Sequence, residues 1–177
     1  MWVIIALRAR NGIKNGNKNF PVPFLRRAHY ESDKKRKMDL IKTHNEKYAF
    51  FREITGEAMR VHRKFKPGLL ESAYEAAMKY LLEQKGHKVE RQKFLPLYWD
   101  NVQLDQSYRI DLMIDDVICE LKAVQFIGME HRRQLENYMN ITHTEYGMLI
   151  NFGSKKLYSE WYRRDPSTGW IEQIRLL

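Results

Sequence analysis

The stretch from Tyr108 to Val124, YRIDLMIDDVICELKAV, constrains the fold more than any other part of the chain. It contains two runs rich in Ile, Val, Leu and Tyr, residues 108–114 and 117–124, and this composition is typical of β-strands. Asp115-Asp116 between the runs can form a two-residue turn. The stretch therefore predicts a β-hairpin whose strands pair directly across this turn.

The predicted register brings two carboxylates together. Asp111 faces Glu120, and Arg109 faces Lys122. Opposed residues have Cβ atoms about 5 Å apart, and two carboxylates at that distance repel unless a proton or a cation lies between them. Mg²⁺ would relieve the repulsion, and Lys122 could then orient a water molecule. The same spacing also fits a solvated strand face on which the acids pair with the bases, so spacing alone leaves both interpretations open.

Side chains alternate between the two faces of a strand, and the two faces of this hairpin differ in character. One face is apolar or small throughout, which predicts that it is buried: Ile110, Leu112, Ile114, Val117, Cys119, Leu121 and Ala123. The other face holds the charged groups beside apolar neighbours, which predicts partial cover: Arg109, Asp111, Met113, Ile118, Glu120, Lys122 and Val124.

The rest of the chain alternates between helical and extended patterns. Apolar periodicity predicts helices over residues 44–65, 69–85 and 129–141. Extended segments are predicted at 89–99, with Pro96 at a bulge or an edge, at 147–152, and in a closing hairpin formed by 156–162 and 170–176. This order predicts an α/β fold in which helices flank a mixed β-sheet.

Composition narrows the class of protein. The hydrophobic fraction of 44% is enough for one folded domain, which we place at residues 38–177. The single cysteine, Cys119, excludes a disulfide framework and a thiolate zinc site within the chain, and it favours a reducing cytoplasm. No apolar run approaches the roughly 20 residues that a membrane helix needs, so we expect no membrane partner.

The positive charge is concentrated at one end. Residues 1–37 contain ten Lys or Arg against two acidic residues, so they hold +8 of the formal net charge of +9. Two interpretations stay open for this segment: a disordered basic arm that binds nucleic acid, or an extension that is not native because translation starts at Met38. A smaller patch could still form in the domain from a further set of cations, namely Arg132, Arg133, Lys155, Lys156, Arg163 and Arg164.

Four other residues are candidates for the same site. Glu71 lies in the first turn of the second helix, where a carboxylate also stabilises the helix dipole. Gln134 and Tyr138 are four residues apart and share one side of the third helix, a spacing that ordinary amphipathic packing also explains. His131 precedes Gln134 by one turn and is placed either to line the site or to serve a structural or surface role.

Four motifs together resemble a known family. Residues 68–74, GLLESAY, fit the pattern of the GxxExxY proteins. Asp111 followed by ELK at 120–122 resembles the D…ExK core of the PD-(D/E)XK nuclease superfamily. QLENY at 134–138 resembles the QxxxY motif of its RecB-like members, and LINFG at 149–153 also fits. One departure is Ile110, where proline often precedes the aspartate.

The resemblance implies a restriction-endonuclease-like core and a role for each candidate residue. It implies that Asp111 and Glu120 bind Mg²⁺ or Mn²⁺, with the main-chain carbonyl of Leu121 as a further ligand. Lys122 would orient the attacking water, and Glu71 would lie near the metal. Gln134 and Tyr138 would support the site or contact the substrate.

Two functions are compatible with these patterns. The first is a Mg²⁺-dependent nuclease that hydrolyses phosphodiester bonds, with DNA favoured over RNA as its substrate. The second is a non-catalytic module with a nuclease-like fold that binds nucleic acid or a protein. The net charge of only +1 over residues 38–177 favours the module slightly, because nuclease grooves usually carry basic residues. The complete Asp-Glu-Lys set favours the nuclease, since a scaffold needs none of the three.

Overall fold

The structure, a computed structural model, describes the backbone of residues 24–174 and, within that range, the side chains of residues 35, 38 and 45–174. The chain divides into two compact units, residues 1–43 and 44–177. Every predicted site residue belongs to the second unit. The predicted boundary between residues 37 and 38 remains a prediction.

The described elements follow the predicted order. The helices are α1 (Phe24–Phe65), α2 (Glu71–Glu83) and α3 (Met129–Thr142). The strands are β1 (Val89–Trp99), β2 (Val102–Ile114), β3 (Val117–Lys122), β4 (Tyr146–Asn151), β5 (Tyr158–Arg164) and β6 (Ile171–Ile174). α1 begins at Phe24, well before the start that the sequence predicted at residue 44. Residues 1–23 lie outside the described range.

Six strands form one mixed sheet in the order β1-β2-β3-β4-β5-β6. β3 and β4 run parallel, and the other neighbouring pairs run antiparallel. The parallel pair encloses α3 in its connection, as a crossover between parallel strands requires. The predicted α/β architecture with a mixed sheet and flanking helices is therefore confirmed.

Each face of the sheet is covered by its own apolar cluster. Residues of α1 and α2, among them Phe51, Ile54 and Tyr74, pack with the side of β3 that carries Val117 and Cys119. On the other side, Leu135, Tyr138 and Met139 of α3 pack with Met113, Ile118 and Leu149. Because each fully buried side chain of this size contributes about 1.5 to 3 kcal/mol, these two clusters fix the three helices on the sheet.

The hairpin register is confirmed across the turn. Ile114 pairs with Val117, Met113 with Ile118, and Leu112 with Cys119. Asp115 has a φ of 51°, a left-handed conformation that aspartate tolerates better than most residues. The main-chain pairing of β2 with β3 ends at Leu112 and Cys119, one step before the two carboxylates.

The predicted alternation fails at one residue of β2. Ile110 is buried with Met113 and Ile118, on the opposite side of the sheet from Leu112. Gln92, the residue of β1 across from Asp111, has a φ of 52°, and the β1–β2 pairing skips this position. The interrupted pairing breaks the alternation between Ile110 and Leu112.

Two further predictions concern the edge strand and membranes. The pairing of β1 with β2 shifts between Pro96 and Tyr98, which confirms the predicted irregularity at Pro96 on an edge strand. Within the described part of the chain, no helix is both long enough and apolar enough to cross a membrane.

Candidate functional site

Asp111 lies where β2 and β3 stop pairing, and its side chain bonds both neighbouring strands. Oδ2 of Asp111 accepts a 2.8 Å hydrogen bond from the main-chain amide of Leu121 in β3. Oδ1 accepts a weaker bond of 3.3 Å from the side-chain amide of Gln92 in β1. The carboxylate is thus oriented by the main chain of the strand that carries Glu120 and Lys122.

Glu120 and Lys122 form a buried ion pair at the end of β3. Nζ of Lys122 donates to Oε1 of Glu120 over 2.5 Å. Glu120 is 0% exposed, and its second oxygen, Oε2, is buried without a hydrogen-bond partner among the described residues. A buried carboxylate oxygen without a partner is costly, and such an atom calls for a ligand that would satisfy it.

Burial and neighbouring acidic residues raise the pKa of both carboxyl groups. Burial, together with the negative charge of Asp111, raises the pKa of Glu120 to about 8. Burial also raises the pKa of Asp111, although the Leu121 amide and the charge of Lys122 act against that rise. Burial lowers the pKa of Lys122, but the adjacent Glu120 carboxylate more than offsets that effect, so the net direction is upward. The site therefore favours an added positive charge or proton.

Glu71 joins this group from the start of α2. Its Oε1 accepts a hydrogen bond of 3.1 Å from the main-chain amide of Ala123, the residue after Lys122. Its charge contributes to the raised pKa values of Asp111 and Glu120, which places it in their electrostatic surroundings. The first turn of α2 thus holds a third carboxylate beside the end of β3.

Glu75 is a fourth acid at the site, and the sequence predictions missed it. It is buried, accepts a 2.8 Å hydrogen bond from Nε of Arg91, and adds to the raised pKa of Asp111. Glu75 follows Glu71 by four residues and so shares its side of α2. That spacing is the signal that could have identified it.

The segment after Lys122 is fixed by the end of β4, which the sequence did not reveal. Oδ1 of Asn151 accepts from the amide of Val124 over 3.1 Å, and Nδ2 donates to the carbonyl of Val124 over 2.8 Å. The amide of Phe152 donates to the carbonyl of Lys122 over 2.7 Å. A Cβ on Gly153 would meet main-chain atoms of Ala123 and Val124 at 2.4 Å, so only glycine fits there.

Two of the three candidates on α3 reach the site. Nε2 of Gln134 donates to the hydroxyl of Tyr138 over 3.0 Å. Tyr138 is 4% exposed, and its pKa is raised by burial and further by the charges of Glu120 and Asp111. Tyr138 therefore borders the carboxylates, and Gln134 connects to them through Tyr138.

His131 has a different contact. Its Nδ1 accepts a 2.9 Å hydrogen bond from the main-chain amide of Gly128 at the start of α3. Among the described residues, His131 makes no hydrogen bond to Gln134 or Tyr138. The structure thus gives it a role at the helix terminus, one of the alternatives that the sequence left open.

The residues present fit a hard divalent cation. Mg²⁺ and Mn²⁺ prefer carboxylate, carbonyl and water oxygens, and Asp111 and Glu120 offer two repelling carboxylates with a free buried oxygen. No group of three or more His, Cys, Asp or Glu residues with metal-binding geometry occurs in the part of the chain that the structure describes. The candidate donor set is accordingly two carboxylates with main-chain and water oxygens.

Comparison with known proteins identifies one family. Residues 48–164, more than half of the chain, match the sequence model of the PD-(D/E)XK nuclease superfamily. The matched range includes Glu71, Asp111, Glu120, Lys122 and Tyr138. Neither a curated protein nor a solved structure matches the chain significantly. Members of this superfamily usually hydrolyse phosphodiester bonds.

Proposed function

We propose, from the premise that the chain belongs to the PD-(D/E)XK nuclease superfamily, that it is a Mg²⁺- or Mn²⁺-dependent nuclease. Its reaction is the hydrolysis of phosphodiester bonds in nucleic acid. The motifs at residues 68–74 and 134–138 further favour the GxxExxY proteins and a RecB-like subtype, and with that subtype DNA over RNA. The single buried cysteine, Cys119, fits a reducing cytoplasm.

One observation carries this proposal: among the described residues, the buried Oε2 of Glu120 has no hydrogen-bond partner, and Asp111 lies beside it. A structural ion pair would satisfy its own carboxylate, and burying an unsatisfied one has no structural benefit. The burial of Glu120 and Lys122 argues against the alternative of a solvated strand face, although the ion pair between them belongs to that alternative.

Each residue has a defined task in this proposal. Asp111 and Glu120 hold the cation, with the carbonyl of Leu121 as a further ligand. The bound cation would polarise a phosphoryl oxygen and lower the pKa of a water molecule. Lys122, held by Oε1 of Glu120, orients the attacking water and stabilises negative charge that develops on the phosphoryl group.

The remaining candidates act around this centre. Glu71 stabilises the main chain after Lys122 through the amide of Ala123 and adds negative charge beside the cation. Tyr138 presents its hydroxyl at the border of the carboxylates, and Gln134 orients that hydroxyl. Both are positioned to contact the substrate backbone. His131 supports them by fixing the first turn of α3.

Cleavage assays test the proposal. The wild-type chain should degrade single- or double-stranded DNA with Mg²⁺ or Mn²⁺ and lose that activity in EDTA. Asp111→Asn, Glu120→Gln and Lys122→Met should each reduce the rate by at least about 100-fold while the protein stays folded. Failure of the wild type to cleave any DNA or RNA with either ion would favour the non-catalytic binding module instead.

A further inference from the structure

Five basic residues form what we call the basic rim: Arg63, Lys64, Lys66, Lys155 and Lys156. Arg63 and Lys64 lie in the last turn of α1 and Lys66 follows its end, whereas the other two lie in the connection between β4 and β5. All five are exposed. No Asp or Glu occurs between residues 58 and 70 or between residues 151 and 159, so both segments are purely cationic.

The two halves of the rim meet at one cavity of about 360 Å³. Arg63 and Lys156 both line it, together with the hydroxyl-bearing residues Thr55 and Ser159. Oγ1 of Thr55 is buried and has no hydrogen-bond partner among the described residues. Because that oxygen is closed to solvent, the cavity offers an oxyanion its two cations, Arg63 and Lys156, beside the apolar Met59 and Leu157.

His62 holds the two halves of the rim together. Its Nε2 donates to the main-chain carbonyl of Ser154 over 2.9 Å, which fastens the residue before the two lysines to α1. Two residues earlier, the amide of Phe152 donates to the carbonyl of Lys122 over 2.7 Å. Lys155 thus closely follows Phe152 in the chain, and Phe152 is hydrogen-bonded to Lys122, the proposed catalytic lysine.

The charges of the rim are not neutralised by ion pairs, unlike those of several other cations of the fold. Arg132 pairs with the buried Glu160, and Arg163 pairs with Glu145 over 2.9 Å. Arg132 and Arg163, which belong to the patch predicted from the sequence, are thus neutralised. Among the residues that the structure describes, none of the five rim residues makes an ion pair.

A helix-dipole role explains only part of the rim. Cations in the last turn of a helix stabilise it, and Arg63 and Lys64 lie in the last turn of α1. Lys155 and Lys156 are outside any helix, yet they are fixed beside that turn by His62. The helix dipole therefore does not account for these two adjacent lysines, which form no ion pair among the described residues.

We propose that the basic rim binds the phosphodiester backbone of the nucleic-acid substrate at phosphates beyond the one that is cleaved. One phosphate occupies the cavity between Arg63 and Lys156, and its neighbours contact Lys64, Lys66 and Lys155. This inference rests on the proposed nuclease function. It gives the domain a phosphate-binding surface even though the net charge of residues 38–177 is only +1.

Salt-dependent binding tests the rim in the full chain carrying Asp111→Asn, which prevents cleavage. Fluorescence anisotropy with a labelled DNA duplex gives the slope of log K against log salt. Lys155→Gln combined with Lys156→Gln should reduce the magnitude of that slope by about 1 to 2 and weaken binding about tenfold at moderate salt. Lys85→Gln combined with Lys88→Gln removes the same charge elsewhere and should change neither value appreciably.

Lysine acetylation read by mass spectrometry localises the contact independently of residues 1–37. Bound DNA should protect Lys155 and Lys156 but leave Lys88, whose side chain is 78% exposed, reactive. If DNA binds but neither lysine is protected and the two double variants have equal salt slopes, the rim proposal is overturned while the nuclease proposal stands. Absence of binding to both DNA and RNA by the full chain would overturn both.

Discussion

The carboxylate of Asp111 bonds the main chain of β3 directly, through the 2.8 Å contact between its Oδ2 and the amide of Leu121. The pairing of β2 with β3 ends just before this position, so a side chain takes the place of the next main-chain hydrogen bond. Asp111 therefore has two separable tasks. It satisfies a buried amide, and it brings a negative charge to the side of Glu120.

Two substitutions at Asp111 should separate these tasks. Asp111→Ala leaves the Leu121 amide buried without an acceptor and should lower the free energy of unfolding by about 1 to 3 kcal/mol. Asp111→Asn keeps an acceptor and removes the charge that repels Glu120, so the metal-free variant should be at least as stable as wild type. Urea unfolding of the three proteins in EDTA measures this. Equal destabilisation by both substitutions would contradict the separation.

The raised pKa of Glu120 predicts a pH dependence of stability. Its folded pKa of about 8 lies above the ordinary value of 4.5 expected in the unfolded chain. Its contribution is therefore complete below pH 4.5 and is lost as pH rises through 8. Between about pH 6 and about pH 9, metal-free wild type should lose about 2 kcal/mol relative to Glu120→Gln.

Urea unfolding of both proteins in EDTA at the two pH values checks this prediction. The difference between wild type and Glu120→Gln cancels the titration of the groups that Glu120 does not influence. Added Mn²⁺ should reverse the trend for wild type, because cation binding requires the deprotonated carboxylate. A difference between the two proteins that is independent of pH would contradict the raised pKa.

Gly153 should tolerate no side chain. Its Cβ would meet main-chain atoms of Ala123 and Val124 at 2.4 Å, and main chain cannot move aside as a flexible side chain can. Gly153→Ala should destabilise the protein by at least about 1 to 3 kcal/mol and disturb the segment that follows Lys122.

Gly56→Ala is the matched control for that substitution. Gly56 lies inside α1, and nothing lies within 4 Å of its added Cβ. Alanine there should stabilise the helix by about 0.5 to 1 kcal/mol. Thermal unfolding of both variants compares them, and equal effects at the two glycines would show that the contact at Gly153 is not as close as described.

The buried Glu160 should be the most sensitive charged position away from the site. Arg132 binds it through two nitrogens, and the hydroxyls of Tyr158 and Tyr162 donate to it over 2.6 and 2.7 Å. Glu160→Ala leaves these donors without an acceptor and should cost about 3 to 5 kcal/mol. Glu145→Ala breaks the half-exposed pair with Arg163 and should cost about 1 kcal/mol or less. Chemical denaturation measures the free energy of unfolding of both variants. A larger loss for Glu145→Ala than for Glu160→Ala would contradict the prediction that the buried ion pair matters more.

The sequence predicted the hairpin and its register because two signals agreed. The alternation of apolar and charged residues indicated the two faces of the hairpin, and the short turn at Asp115 indicated which residues pair. The alternation failed at Ile110 because it depends on the left-handed backbone of Gln92 in another strand. No residue pattern around Gln92 marks that conformation, since glycine or asparagine would be its usual sign.

Other parts of the site depend on contacts between elements that are distant in sequence. Asn151 fixes the segment at Val124 through bonds that span 27 residues, and nothing in the local pattern indicates that pairing. The sequence predicted the start of α1 too late, at residue 44 instead of Phe24, for a different reason. Residues 24–37 lack an apolar period, yet they are rich in residues with good helix propensity, and the helix continues through them.

The central proposal is that Asp111 and Glu120 share one divalent cation. Isothermal titration of the metal-free chain with Mn²⁺ at about pH 8 tests it most directly. Wild type and Glu145→Gln should bind with the same affinity and release protons, whereas Glu120→Gln and Asp111→Asn should bind at least about tenfold more weakly. Absence of binding by wild type, or binding that survives both substitutions unchanged, would contradict the claim.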